Sequence, residues 1–139
     1  MSVEENKAVV GRLVDIINQK NLDEFYECVA PECVFHMAVS DATAQQYLQV
    51  MKTMVQSIIP DLQVTIEDIF AEGDRVAARN TWGGTHKGEL RGVPPSGNRI
   101  EMTQNCIYMI INGKIAEIWQ EQNELSLMQQ LGALPEGGR

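Results

Sequence analysis

Residues 99–123 read RIEMTQNCIYMIINGKIAEIWQEQN, and this stretch decides the fold. Two runs rich in Ile, Met, Tyr and Trp flank Asn112-Gly113, the pair that best suits a two-residue type I′ turn, so the segment is a long β-hairpin with strands over 99–111 and 114–123. A strict antiparallel ladder from that turn pairs Ile111 with Lys114 and Ile110 with Ile115. Continued outward, it sets Met102, Gln104, Cys106, Tyr108 and Ile110 on one face with Ile115, Glu117, Trp119, Glu121 and Asn123. The opposite face carries Ile107, Met109 and Ile111 with Ala116 and Ile118. Both faces are partly apolar, so the sheet is expected to be covered twice, by helices on one side and by a second subunit on the other. A homodimer built on Ile107, Met109 and Ile118 follows as an expectation.

Upstream of the hairpin lies a second one. Leu62, Val64 and Ile66 alternate with polar residues, Glu72-Gly73-Asp74 makes a turn, and Val76 begins the return strand. Gly83, Gly84, Gly88, Gly92 and Gly97 with Pro94-Pro95 then bend that strand into a loop. Before residue 62 the period is helical. Ser2 to Glu5 forms a capping box ahead of Val10, Leu13, Val14 and Ile17, giving a helix over about 3–19. Asn21 to Glu24 opens a short helix that Pro31 stops, and 33–37, CVFHM, is extended. Ser40 or Asp41 caps a third helix with the stripe Tyr47, Met51, Met54 and Ile58, ended by Pro60. Leu125, Leu127, Met128 and Leu131 suit a last short helix, with Gly132 at its stop and PEGGR, 135–139, frayed. Helices first and antiparallel strands after specify an α+β fold with the helices on one face of the sheet. Residues 1–134 are read as one domain.

The chain has 139 residues, 44% of them hydrophobic, which is enough for one core and too little for two. A formal net charge of −8 leaves no basic stripe, so nucleic acid and anionic membranes are excluded as partners. An acidic N-terminus and the lack of a long apolar run give the expectation of a cytoplasmic protein. Three cysteines form no metal-ligand spacing and the two histidines lie at ligand spacing to nothing, so neither metal nor disulfide is expected.

The run 60–103, PDLQVTIEDIFAEGDRVAARNTWGGTHKGELRGVPPSGNRIEMT, with NGKIAEIW (112–119), LMQQLGALP (127–135) and the opening NKAVVGRLVDIINQKNLDEFYECVAPECVFH (6–36), resembles the SnoaL-like polyketide cyclase family of the nuclear transport factor 2-like superfamily. The resemblance implies a cone-shaped barrel of curved antiparallel sheet packed on N-terminal helices. It also implies a pocket between the two, a dimer, and chemistry without metal or organic cofactor. Cyclases of the family close a ring by an intramolecular aldol reaction, with an acid near the end of the last strand as general acid/base. That acid, the Asp of a W-x-x-x-D pattern, falls on Asn123 after Trp119, and a second family acid falls on Cys106.

Two histidines fall on motif positions of the resemblance. His36 is read as a proton-transfer group or as a hydrogen-bonded residue at the rim of the core, since histidine titrates nearest neutrality. His86, in Gly84-Thr85-His86, either borders the substrate or orders the following loop. Arg79 faces Glu67 or Asp68 across the first hairpin, as an ion pair or as an anchor for a substrate carboxylate. Tyr108 and Trp119 supply pocket walls with a polar tip, Met51 a soft one. Glu121 is the carboxylate on that face near the strand's end, a general acid/base if buried and an edge charge if not.

These readings lead to a cofactor-independent enzyme of the polyketide-cyclase type acting on a small, mostly apolar carbonyl compound. His36 or Glu121 moves the proton, while Asn123 and Tyr108 hydrogen-bond the developing enolate oxygen. The alternatives are a non-catalytic binder of small ligands, and an epoxide-type hydrolase or isomerase built on Arg79 with inward-facing Glu67 or Asp68.

Overall fold

The computed structural model describes residues 2–134. The frayed tail expected over 135–139 lies outside them. Helix α1 (Val3–Gln19) begins at the Ser2–Glu5 capping box, in which each side chain bonds the other's backbone N–H. Its apolar stripe, Val10, Leu13, Val14 and Ile17, is buried against the sheet. A short 3₁₀ helix (Leu22–Glu27) leads into β1 (Val29–His36). The sequence reading stops a helix at Pro31, yet Pro31 lies inside β1. It falls between Val29 and Val34, where the pairing of β1 is irregular, so its missing N–H breaks no regular ladder. Strand β2 (Asp41–Thr43) folds back on β1, and α2 (Ala44–Thr53) is capped by Thr43 with Gln46, not by Ser40 or Asp41. Asp41 is instead a strand residue opposite His36.

A one-turn π segment, Met54–Ile58, ends this helical layer. Strands β3 (Gln63–Glu72), β4 (Arg75–Thr85), β5 (Arg99–Ile111) and β6 (Lys114–Gln122) follow, then α3 (Glu124–Gln130). The sheet runs β2-β1-β6-β5-β4-β3. It is antiparallel except for β1, which lies parallel to β6. The expected cone is thus an open, curved, mixed sheet with edges at β2 and β3, not a closed barrel. The β3 edge is partly covered by Asn18 of α1. Its carboxamide accepts the Val64 N–H at 2.7 Å and donates to the Val64 carbonyl at 2.9 Å, as a neighbouring strand would.

One irregularity determines the chemistry of the concave face. Near the turn the ladder is the strict one, with Ile111 opposite Lys114 and Ile110 opposite Ile115. The next pair is Met109 with Glu117, so Ala116 is an extra residue on β6, a β-bulge. Beyond it every β6 side chain is on the face opposite to that expected. Ile118, Gln120 and Gln122 point inward with Tyr108, Cys106 and Gln104, while Glu117, Trp119 and Glu121 point outward with Met109, Ile107 and Asn105. The strict register would bury two carboxylates and expose Ile118. Burying an isoleucine stabilises by roughly 1.5–3 kcal/mol, and an unpaired buried carboxylate costs several kcal/mol. The interrupted ladder costs about 1 kcal/mol, so the bulge wins. Ile118 accordingly belongs to the core, not to the outer face on which a dimer was expected.

Candidate functional site

The concave side of the sheet, α2 and α3 enclose a cavity of about 270 Å³. Tyr47, Met51 and Met54 form its helical wall, Trp82, Ile100 and Met102 its strand wall, and Leu127 of α3 part of its rim. Three further strand residues are glutamines, Gln104 from β5 and Gln120 and Gln122 brought inward by the bulge, and Gly83 and Glu101 complete the strand lining. The loop after β4 closes the mouth with Leu90 and Arg91. Its course is set by the Gly84-Thr85-His86 motif. Asp61 accepts the Thr85 N–H and hydroxyl, each at 2.7 Å, and these bonds hold its carboxyl below the usual range. A Cβ on Gly84 would stand 2.2 Å from Ile59 Cγ2, so glycine is what lets this strand end approach Ile59 and Leu62.

The glutamines form a directed network. Gln104 Nε2 and Gln120 Nε2 each donate to Gln122 Oε1 at 3.2 Å, and Gln122 Nε2 donates to Glu124 Oε2 at 2.5 Å. Glu124 is in turn gripped by Arg91, Nε to Oε1 at 2.6 Å and Nη2 to Oε2 at 3.3 Å. The Arg91 guanidinium holds the Glu124 carboxyl below the usual range, against the opposing effect of burial, with Gln122 adding to it. Each of these hydrogen bonds runs toward the Glu124 carboxylate. The Oε1 atoms and second amide protons of Gln104 and Gln120 take no part in the network, and both side chains border the cavity.

Several residues singled out from the sequence lie elsewhere. His36 is on the outer face, Nε2 2.6 Å from Glu117 and Nδ1 3.0 Å from Asp41. Both ring nitrogens face carboxylate oxygens, which favours the doubly protonated ring and raises its pKa, Glu117 first and Asp41 second. It stacks on Trp119, centroids 5.5 Å apart, with Arg75 5.1 Å over the indole. Trp119 and Glu121 are therefore outer-face residues, moved there by the bulge. Arg79 pairs with Asp68 at 2.8 Å on the same exposed face, and the inward Arg-carboxylate pair of the hydrolase reading is not formed. His86 is fully buried with Nδ1 on Ser96, and its backbone bonds Asn98 and Gly97, so it orders the loop. Met51 borders the cavity. Cys106 and Tyr108 point inward but lie deeper, and burial pushes the Cys106 thiol up to about 11.

The profile of the SnoaL-like polyketide cyclases matches residues 7–131. The chain belongs to that family. Solved SnoaL-like relatives agree in fold. AclR from Streptomyces galilaeus, described as a candidate hydroxylase, is 31% identical over 97% of this chain and 89% of its own, with a TM-score of 0.87. IdmH from Streptomyces antibioticus, described as a candidate polyketide cyclase, is 28% identical over 91% and 98%, with a TM-score of 0.80. TsrD from Streptomyces laurentii is 25% identical over 96% and 99%, with a TM-score of 0.86. No curated protein matches. The fold is thus the nuclear transport factor 2-like one.

At the SnoaL-like acid position, Asn123 is exposed and caps α3, its Oδ1 accepting the Ser126 N–H at 3.1 Å. It does not border the cavity; its neighbours Gln122 and Glu124 supply that end's polarity. Sequence reading passed over Gln120, Gln122, Arg91, Glu124 and Trp82. A signal was present: the alternation Gln120-Glu121-Gln122 puts either carboxamides or a carboxylate inside, and carboxamides are far cheaper to bury. Among the described residues no helix is long and apolar enough to cross a membrane.

Proposed function

We propose that this protein binds a small, mostly apolar carbonyl compound of polyketide type in the glutamine-lined cavity. There it promotes a cofactor-independent reaction, ring closure by an intramolecular aldol step or proton transfer at the carbon beside the carbonyl. The observation carrying this reading is the convergence of three carboxamides, tied to an Arg91–Glu124 pair, in an otherwise apolar cavity of about 270 Å³. Apolar walls fold the substrate so that its reacting carbons approach. Amide protons of Gln104 and Gln120 stabilise the enolate oxygen as charge develops, the carbon proton passes to solvent water at the cavity mouth and a proton returns from that water to the product oxygen or carbon, and Glu124 holds Gln122 in one orientation.

A second reading is favoured by a specific observation. The titratable residues bordering the cavity are Tyr47, Arg91 and Glu101. Burial pushes the Tyr47 hydroxyl up, Arg91 is engaged by Glu124, and Glu101 is exposed. A cavity of this kind suits a binder that releases its ligand unchanged. The two readings separate when purified protein is incubated with a panel of β-keto esters, following binding by tryptophan fluorescence and conversion by mass spectrometry. Conversion that drops at least tenfold in Gln104→Leu supports the enzyme, binding without conversion supports the carrier, and neither removes both.

We also propose a homodimer on the outer face. Ile107, Met109 and Trp119 there are flanked by Arg75 and Arg79 on one side and Glu117 and Glu121 on the other, which lets a second copy pair opposite charges about a two-fold axis. Sedimentation of wild type and Ile107→Lys tests it: a wild-type monomer at micromolar concentration rejects the proposal.

A further inference from the structure

Behind the wall of the main cavity is a second, smaller chamber of about 20 Å³ between α1 and the sheet. Tyr47, Trp82, Gln104 and Gln120 border both spaces. The chamber also touches Asn80 and Tyr108, with Leu13, Val14 and Ile17 of α1 opposite. Asn80 is 3% exposed, and its Nδ2 donates to Tyr108 Oη at 3.3 Å. Its Oδ1 has no partner, and neither has Nε1 of Trp82. These are two of the three unpartnered buried side-chain atoms among the described residues, the third being His86 Nε2 in the loop after β4.

A buried acceptor or donor left unpaired loses its hydration with nothing in return, so two on neighbouring inward positions of one strand call for a partner. Asn80 Oδ1 needs a donor and Trp82 Nε1–H needs an acceptor. One hydroxyl-type oxygen supplies both, and an oxygen of that size needs roughly 10–15 Å³ of such space, which the chamber exceeds. An apolar filler would leave both atoms unsatisfied, and an ion is excluded by the neutral lining.

We infer that this chamber is a site for a single hydroxyl-type oxygen, held between Asn80 Oδ1 and Trp82 Nε1. Its occupant is a water in the free protein, or the hydroxyl of a ligand whose deep end passes the Trp82–Gln104 wall. The second source rests on the reading of the main cavity as a ligand site; the first does not. The oxygen adds a polar group behind the glutamine-lined cavity, and Trp82 becomes a positioning residue whose indole is fixed from behind.

The test is nuclear magnetic resonance of the whole chain, reading transfer from long-lived water to the Trp82 indole N–H, which Trp82→Phe assigns against Trp119. A cross-peak is expected in wild type and its loss in Asn80→Leu. A crystal structure of wild type, with density for one oxygen in the chamber, keeps the site testable if Asn80→Leu does not fold. Adding 2-naphthol or naphthalene distinguishes the sources. Persistence of the cross-peak with both probes assigns the site to water, and loss with 2-naphthol alone assigns it to a ligand hydroxyl. A chamber that is dry without probe overturns the inference. If neither probe shifts the Met51 and Met102 methyl signals, the ligand-cavity reading fails while the water site stands.

Discussion

The two faces of the β5–β6 hairpin come from the same alternating residues and have opposite chemistry. Inside, beyond the Ala116 bulge, lie Ile118, Gln120 and Gln122 against Tyr108, Cys106 and Gln104, polar groups bonded to each other in an apolar setting. Outside lie Glu117, Trp119 and Glu121, with the His36 ring between two carboxylates. Charge stays where water screens it, and neutral amides go inside, where burying them costs less. A single extra residue achieves this sorting.

The largest test of the contrast replaces neighbours on opposite faces. Ile118→Lys buries a charge among apolar side chains and should lose at least ~4 kcal/mol, enough to unfold many domains. Glu121→Lys on the exposed face should change stability by no more than ~0.5 kcal/mol. Urea denaturation of both variants decides it, and equal losses would mean that the bulge is absent in solution. Next in size is the network itself. Gln122→Leu removes the acceptor shared by Gln104 and Gln120 and should cost about 2 kcal/mol, while Glu121→Gln one residue away costs nothing measurable.

A smaller effect separates capping from catalysis at the family acid position. Asn123→Ala should cost about 1 kcal/mol through the lost cap, Asn123→Asp should restore it, and neither should alter ligand affinity. A change of affinity in Asn123→Asp with unchanged stability would bring that residue back into the site.

The smallest effect is the pH response of the outer face. The folded pKa of His36 is raised above its ordinary ~6.5, so its contribution is fully present below that pH and is lost as pH rises through the folded value. The difference in melting temperature between wild type and His36→Gln should therefore shrink from about pH 5 to about pH 8. A difference that grows over that range would show that His36 is neutral in the fold.

Much of this was legible in the residues. The capping box at Ser2, the Asn112-Gly113 turn, the two hairpins and the last helix lie where local chemistry places them, because each depends on contacts within a few residues. Pro31 misled because a proline inside an irregular strand reads like a helix stop. Family motifs reached the fold, and carried the catalytic expectation to Asn123, which caps α3, and to His36, which lies on the outer face.

By itself, the sequence determined an acidic α+β domain with helices preceding a hairpin-built sheet, since composition, periodicity and turn chemistry are local properties. Only the tertiary structure decided which face of β6 lines the cavity. A strand's alternation has period two, so one unpaired residue reverses every assignment beyond it. The choice between registers is made by burial of Ile118 and exclusion of Glu117 and Glu121, which exist only once helices cover one side of the sheet.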